Sequence, residues 1–451
     1  VGANTVWQAE TQGPLTTQTP VTLKHDNGNG LVFRRTISVD DNYLFTIRQE
    51  VENNSGAPVT LYPYALISRH GEPQTAGIYI LHEGMIGVFE EEGLQEIDYS
   101  DALDQKQYTY KGKTGWLGIT DKYWAATLIP AQNTNYTAHL KGSQSGTKKY
   151  FQADYSMDGI TVPAGASQAV EGRLFAGAKR ANLINEYQET IGVENFDLMV
   201  DWGWFYFITK PLYSLLIWLQ GLVGNYGIAI LLTTVLIKLA FFPLANKSYV
   251  SMGRMKKLQP EMERIRERFG DDRARQQKAM MELYQKEKIN PMSGCLPILL
   301  QIPVFFARYK VLYVSIEMRH APFFGWISDL SAPDPTSMFN LFGLIPISLP
   351  AFLLIGVWPI LMGISMWVQM KLNPAPADPM QQKIFTWMPV FFTFLLATFP
   401  AGLVIYWTWN NILSVAQQWF IMSRQGVKVE LFDNIKGSFS WLKRDKVTDK
   451  T

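Results

Sequence analysis

The feature that most constrains this chain is the run from Asn225 to Leu244, NYGIAILLTTVLIKLAFFPL. Crossing the hydrocarbon core of a bilayer takes about 20 apolar residues. This run has that length and holds one cation, Lys238. A charge at such depth costs about 2.5 kcal/mol or more on insertion scales, so a chain that keeps one has a use for it or a way to lift it out. The plain alternative is a snorkelling anchor. Lys238 lies about one and a half helical turns before Leu244, and its stem is long enough to bring the ammonium towards water.

The mean hydropathy of −0.03 hides two unlike halves. Residues 1–200 hold 15 of the 41 Lys and Arg and 23 of the 39 Asp and Glu, which leaves 26 cations against 16 anions in the remainder. An acidic, turn-rich half joined to a basic, membrane-grade half implies at least two domains on opposite sides of a barrier. A single cysteine, Cys295, excludes a disulfide framework and a cysteine zinc site. The five histidines are scattered, without an HExxH-type pair, so neither a metal site nor a catalytic residue is expected. The opening VGANTVWQAE has no Met and no apolar signal region, so an N-terminal anchor or signal helix is expected ahead of it.

Residues 1–185 read as an all-β sandwich. The runs 31–39, 43–51, 59–69 and 115–130 are rich in β-branched and aromatic residues, and NGNG, NNSGAP, HGEP and KGKTG break them with turn chemistry. Glu90–Glu92 is either a solvated turn or a metal or sugar site. Residues 186–221 read as a polar connector followed by a helix at 203–220 lying on the membrane surface, its aromatics at headgroup level. Pro211 and Gly221–Gly224 are expected to separate that helix from the first span.

The membrane core is placed at 222–422, with five spans at about 222–244, 295–316, 352–371, 384–399 and 402–422. Between the first two lies a basic helical hairpin, 246–292. Met252, Met255, Leu258, Met262, Ile265 and Phe269 recur every three or four residues there, as on one helix face. That face is either the hairpin's own seam or an adaptable methionine surface for partners. Cations gather in 246–292, near Lys371 and Lys383, and in the tail 423–451, all on one side of five spans. The positive-inside rule makes that side the cytoplasm and puts the β domain outside; Arg319, in the external loop 317–351, is the exception.

The spans are not plain apolar cylinders. Thr234 and Lys238 share a face, and Tyr406, Asn410, Ser414 and Gln417 form one stripe of the last span, while Gln301 and Gln369 sit in two others. Such groups either line a wet groove with Lys238 in it or glue helices together at about 0.6–2 kcal/mol each. Glue accounts for Thr, Ser and Gln better than for a lysine with no acid in the neighbouring spans. A secondary transporter with an intramembrane lysine site is the rival function, but it calls for internal repeats and broken helices, and no repeat is visible. An enzyme using Lys238 as a base lacks a nucleophile, a metal box or an acid partner.

The series LIKLAFFPL, MKKLQPEMERIRERFGDD, KINPMSGCLPILLQIPVFFA, WISDLSAPDP, DPMQQKIFTWMPVFFTF and FPAGLVIYWTWNNILSVAQQ resembles the YidC, Oxa and Alb family of membrane protein insertases from about Trp202 to Ile421. The preceding β region is similar to the large periplasmic domain of the Gram-negative form, a β-super-sandwich like sugar mutarotase folds. The resemblance implies a polytopic α-helical inner-membrane protein with that domain in the periplasm, its hairpin and tail in the cytoplasm, and a first transmembrane helix ahead of the β domain. It implies a groove open to cytoplasm and lipid, whose cation draws in the acidic segment ahead of a substrate's transmembrane helix. Lys238 stands at that position, one turn after Thr234, and Tyr406 and Trp407 stand where aromatics contact the passing helix. The implied partners are nascent membrane proteins, the Sec translocon, the ribosome (met by PAPADPMQQ and the tail) and the lipid bilayer. No cofactor and no specific nucleic-acid sequence is implied. Two departures stand out: many members have Arg at the position of Lys238, and Arg308 and Lys310 fall within the second span. These two either snorkel outward or add to Lys238 as intramembrane cations.

Overall fold

The computed structural model describes residues 1–2, 4–75, 81–270, 272–287, 296–343, 345, 350, 354–372 and 379–426. The chain divides into two units, Val1–Trp202 with Val314–Ile316, and Gly203–Tyr313 with the residues from Glu317 onward. The loop PAPADP except Pro379, residues 288–295 and the tail beyond Gly426 lie outside the described residues.

The first unit is built from β1 (Gln8–Ala9), β2 (Val21–Asp26), β3 (Leu31–Val39), β4 (Leu44–Asn53), β5 (Val59–Leu61), β6 (Tyr64–His70), β7 (Gly84–Phe89) and β8 (Gly93–Asp98). After a short helix, α1 (Tyr99–Gln105), come β9 (Gln107–Gly112), β10 (Gly115–Thr120), β11 (Trp124–Ile129), β12 (Tyr136–Ser145), β13 (Lys148–Met157), β14 (Ile160–Val162) and β15 (Ser167–Ala178). Nine strands form one sheet in the order β1-β2-β3-β4-β15-β11-β10-β7-β8, and β6-β13-β12-β9 form a second. Every pairing among the described strands is antiparallel, and short turns join β2 to β3, β3 to β4, β7 to β8, β10 to β11 and β12 to β13. The long return strand β15 enters between β4 and β11, joining the first hairpins to the later ones. Met85, Leu117, Leu140, Phe151 and Tyr155 meet in the core between the sheets. At Gly118 a Cβ would come within 2.1 Å of the Ala126 carbonyl, so only glycine fits that point of β10.

The helix α2 (Ala181–Ile191) buries Leu183, Ile184 and Tyr187, and the Tyr187 hydroxyl donates to Asp40 Oδ2 at 2.5 Å. Beyond it, Trp202 is buried and its indole N–H donates to the Asp197 carbonyl at 3.1 Å. Residues 186–202, read from sequence as connector, therefore belong to the β unit. Glu90–Glu92 are exposed where β7 turns into β8, which is the solvated-turn reading.

The second unit is helical. Its first helix, α3 (Tyr206–Val223), buries Thr209, Tyr213, Leu216 and Leu219 at helical spacing and leaves Phe207, Trp218 and Leu222 exposed. Pro211 does not break α3. Proline there costs one backbone bond, and the helix runs on through Gly221 until Gly224, at φ 69°, ends it. The expected span 222–244 is likewise not one helix. It is α4 (Tyr226–Ala240) followed by α5 (Phe242–Lys257), bent by 67° at Phe241. Pro243, in the first turn of α5, has no N–H to carry the α4 ladder across that bend.

The remaining helices are α6 (Gln259–Phe269), α7 (Arg273–Lys286), α8 (Leu296–Val314), α9 (Val357–Leu372), α10 (Pro379–Leu396) and α11 (Ala401–Arg424). The other four expected spans, as far as the described residues cover them, overlap α8, α9, α10 and α11, one helix each. Among the described residues, however, no single helix is long and apolar enough to cross a membrane, and only the bent pair α4 and α5 meets the criterion together. The reason is local. The 15 residues of α4 rise only about 22 Å; α8 carries Arg308 and Lys310, and α11 carries Asn410, Asn411, Gln417 and Gln418.

The loop before α9 is fastened rather than slack. The buried Asp334 accepts hydrogen bonds from the Trp326 indole at 3.0 Å, from the Thr336 hydroxyl at 2.7 Å and from the Trp358 N–H at 2.9 Å, at the start of α9. The N–H groups of Ala401 and Gly402, opening α11, donate to the carbonyls of Ala332 and Leu330 at 2.7 and 2.9 Å. The ends of α9 and α11 are therefore held by one segment, the SAPDP motif and its neighbours.

Candidate functional site

The site grows from α4. Asn225 caps it, its side chain accepting from the Ile228 N–H at 3.0 Å. Thr233 and Thr234 satisfy themselves on the carbonyls four residues back, each at 2.7 Å, so both hydroxyls are tolerated in an apolar helix. Leu232, Leu236 and Leu239 recur at helical spacing and are exposed. Thr234 and Lys238 occupy the other side and line a cavity of about 200 Å³.

The cavity is closed by α5, α8, α9 and α11. Thr234, Lys238, Gln301, Tyr406, Asn410, Ser414 and Gln417 all line it, together with Gln369, Met252 and Arg308. Lys238 does not reach out along its helix. Its ammonium donates to Ser414 Oγ at 2.7 Å, and that hydroxyl donates in turn to the Asn410 carbonyl at 2.7 Å. The indole N–H of Trp409 donates to the Leu231 carbonyl at 3.2 Å and ties α11 to α4.

Trp407 is the one groove residue of the sequence reading that does not line the cavity. Its ring stacks on Phe305, centroids 5.3 Å apart and planes 22° apart, and it packs against the core of Met362, Leu396 and Val404. One residue along a helix turns a side chain by about 100°, so Tyr406 and its neighbour face different sides.

Arg308 is the cavity residue that the sequence left open. It is 6% exposed, its Nη2 donates to Thr234 Oγ1 at 3.0 Å, and its guanidinium lies 4.4 Å from the centroid of the Tyr406 ring. The signal for it was its spacing from Gln301: seven residues are two helical turns, so the two share a face of α8. Lys310 is buried as well, and a Cβ at Gly203 would lie 3.4 Å from its Cε. Neither side chain is exposed, as outward snorkelling requires.

Not every polar residue of α11 belongs to the cavity. Asn411 donates to Ser365 Oγ at 3.1 Å, which fastens α11 to α9, and Ser365 donates within α9 to the Met362 carbonyl at 2.7 Å. Gln418 both lines the cavity and donates to the Leu372 carbonyl at 3.3 Å. Groove lining and helix glue thus fall to different residues at Asn410 and Asn411 and meet in one residue at Gln418.

The methionine stripe is also divided. Pro260, in the first turn of α6, separates α5 from α6, so the expected single helix face is carried by two helices. Met252 lines the cavity. Met262 accepts a hydrogen bond from the Tyr284 hydroxyl of α7 at 3.9 Å on its sulfur. Met255, Ile265 and Phe269 are half-buried. Asp272 caps α7, accepting from the Arg275 N–H at 3.1 Å.

A helical unit with leucines and aromatics outward and cations and amides around an inner cavity, joined to an antiparallel β unit, fits the class of membrane-embedded proteins with an extramembrane domain. The family described as 60Kd inner membrane protein matches residues 218–428, and the YidC periplasmic domain matches residues 1–215. The membrane protein insertase YidC of Nitrobacter hamburgensis is 58% identical, covering 99% of this chain and 75% of its own length. That of Bradyrhizobium diazoefficiens is 57% identical, covering 97% of this chain and 73% of its own. A crystal structure of an active YidC insertase with its first transmembrane domain resolved is 19% identical over 92% of this chain and 83% of that one, with a TM-score of 0.40. The chain belongs to the YidC family of membrane protein insertases, inner-membrane proteins with a periplasmic domain that are not enzymes.

Proposed function

We propose that this chain inserts nascent transmembrane segments from the cytoplasm into the inner membrane through the cavity bounded by α4, α5, α8, α9 and α11. The observation that carries the reading is Lys238, turned into that cavity onto Ser414 at 2.7 Å and lined about by amides rather than by carboxylates. An acidic segment ahead of a substrate helix enters there, and its charge meets Lys238. The apolar stretch behind it then partitions into lipid, gaining about 0.8 kcal/mol per buried CH₂. The membrane potential, worth about 2.3 kcal/mol per charge per 100 mV, draws an acidic tail outward. The protein supplies a path, and the hydrophobic effect supplies the direction.

In this reading five segments span the membrane, the β unit is periplasmic, 246–292 and the tail are cytoplasmic, and the ribosome meets PAPADPMQQ and the tail. Insertion proceeds alone or beside the Sec translocon. The test is photocrosslinking from Thr234, Lys238, Tyr406 and Asn410 to a ribosome-held single-span chain in membranes. Crosslinks from these positions are expected. If they arise only from exposed positions of the helical unit, the polar stripe is helix glue and the proposal falls.

A further inference from the structure

We propose that Arg308 is a second substrate-contacting cation of the groove, so that the cavity selects segments carrying more than one carboxylate. The inference rests on the groove reading and adds to it a residue and a specificity. Four observations carry it. Arg308 lines the same cavity as Lys238. Its guanidinium is held in place by neutral groups, the Thr234 hydroxyl at 3.0 Å, the Ile230 carbonyl at 3.5 Å and the Tyr406 ring at 4.4 Å. Thr234 and Lys238 are one turn apart on α4, which sets their Cβ atoms about 5–6 Å apart. The two cations therefore lie on neighbouring walls of one space.

No carboxylate lines that space among the described residues. Two buried positive charges without an internal anion are costly in a membrane, and an entering polypeptide acid relieves both. The two side chains also differ in kind. Arg308 presents a planar fork that grips a carboxylate through two N–H groups, whereas Lys238 presents a point charge on a flexible stem. Stacked over Tyr406 and bonded to Thr234, the fork is fixed; Lys238 has one contact to exchange, with Ser414. A segment with a single acid satisfies one cation, and a segment with two spaced acids satisfies both.

The experiment reads an acid preference, the insertion of a doubly acidic tail divided by that of a neutral tail on the same apolar segment. The full chain is used in membranes, as wild type, Lys238→Ala, Arg308→Gln and the double variant. Each single change is expected to lower the ratio about three- to tenfold, the factor that one intramembrane polar contact gives. The double variant is expected to bring it to one, and Arg308→Lys to keep most of it. A ratio of one in Lys238→Ala, with Arg308 intact, overturns the inference, and that arm stands even where Arg308→Gln does not accumulate. So does an unchanged ratio in Arg308→Gln. Failure of the groove reading looks different: the wild type shows no acid preference and no crosslinks from the cavity.

Discussion

The two units of this protein give several of their cations contrasting partners. In the β unit the core is apolar and several cations find acids: Arg69 grips Asp121 with bonds of 2.7 and 3.0 Å, Arg34 meets Glu52 at 2.9 Å, and Lys141 meets the buried Asp154 at 3.0 Å. In the helical unit the large apolar side chains Leu236, Trp387 and Phe391 are exposed, and Lys238 and Arg308 face an inner cavity. Their partners there are hydroxyls, a carbonyl and a ring. A charge already matched by an acid stabilises the fold and has nothing left to offer. A charge held only by neutral groups is positioned and remains available to an anion from outside.

That contrast is broken first by removing an acid from the β unit. Asp154 is 1% exposed and accepts from His139 at 3.0 Å, from Lys141 at 3.0 Å and from Gln152 at 2.7 Å. Asp154→Ala leaves these donors without their acceptor. The expected loss is about 3 kcal/mol, the low end for a broken buried pair because Lys141 keeps part of its hydration. Denaturant titration of the full chain in detergent measures it, and insertion by the folded protein is expected to be unchanged. A variant that loses insertion while keeping its stability would reverse the assignment of roles.

The β core offers a second test at alkaline pH. Burial pushes the Tyr155 hydroxyl up to about 12 from an ordinary value near 10. The unfolded chain therefore ionises this tyrosine first. Its contribution is fully present below about pH 10 and is lost as pH rises towards 12, which amounts to about 2–3 kcal/mol at 1.36 kcal/mol per unit. Stability at pH 9 and pH 11.5, compared between wild type and Tyr155→Phe, isolates that share. An identical pH dependence in both would assign the alkaline loss to other groups.

The complementary change adds an acid to the cavity. Ser414 Oγ is the acceptor of Lys238, so Ser414→Asp supplies the carboxylate that the β unit has and the cavity lacks. The ion pair so formed is expected to leave the fold intact and to lower insertion of acidic-tailed substrates about tenfold, the effect of 1.4 kcal/mol. Protease protection of a single-span substrate in inverted vesicles reads it. Undiminished insertion would show that Lys238 does not meet the substrate's charge.

Much of this arrangement was legible because periodicity reports a face. The stripe Tyr406, Asn410, Ser414 and Gln417 lines the cavity, as Thr234 and Lys238 do, because each set lies on one uninterrupted helix. β3 falls on 31–39, where its run of β-branched and aromatic residues was read. What periodicity cannot report is which faces meet. The insertion of β15 between β4 and β11 depends on pairings far apart in sequence. The bend at Phe241 and the break before α6 come from single prolines, Pro243 and Pro260, inside otherwise regular patterns. Arg308 was left between outward snorkelling and a place beside Lys238 as an intramembrane cation, although its two-turn spacing from Gln301 already put it on the polar face.

Thr234 gives the finest test of the contrast, because it holds a cation without matching its charge. Its hydroxyl donates to the Ile230 carbonyl at 2.7 Å and accepts from Arg308 at 3.0 Å. Thr234→Val keeps the shape and removes both bonds. Ile230 retains the backbone bond of an α-helix, so stability is expected to stay within about 0.5 kcal/mol. Arg308, however, loses its shorter acceptor, and the Tyr406 ring and the Ile230 carbonyl, at 3.5 Å, still position it. Insertion of acidic-tailed substrates is then expected to fall about threefold, the effect of an intramembrane hydrogen bond of ~0.6 kcal/mol, with neutral tails unaffected and Thr234→Ser restoring the wild-type value. Equal losses for both tails would make Thr234 a packing residue. If neither tail is affected, the ring and the Ile230 carbonyl suffice to fix the guanidinium. Only the acid-selective loss requires a cation that is held in place yet left unmatched, which is the property separating this cavity from every ion pair of the β unit.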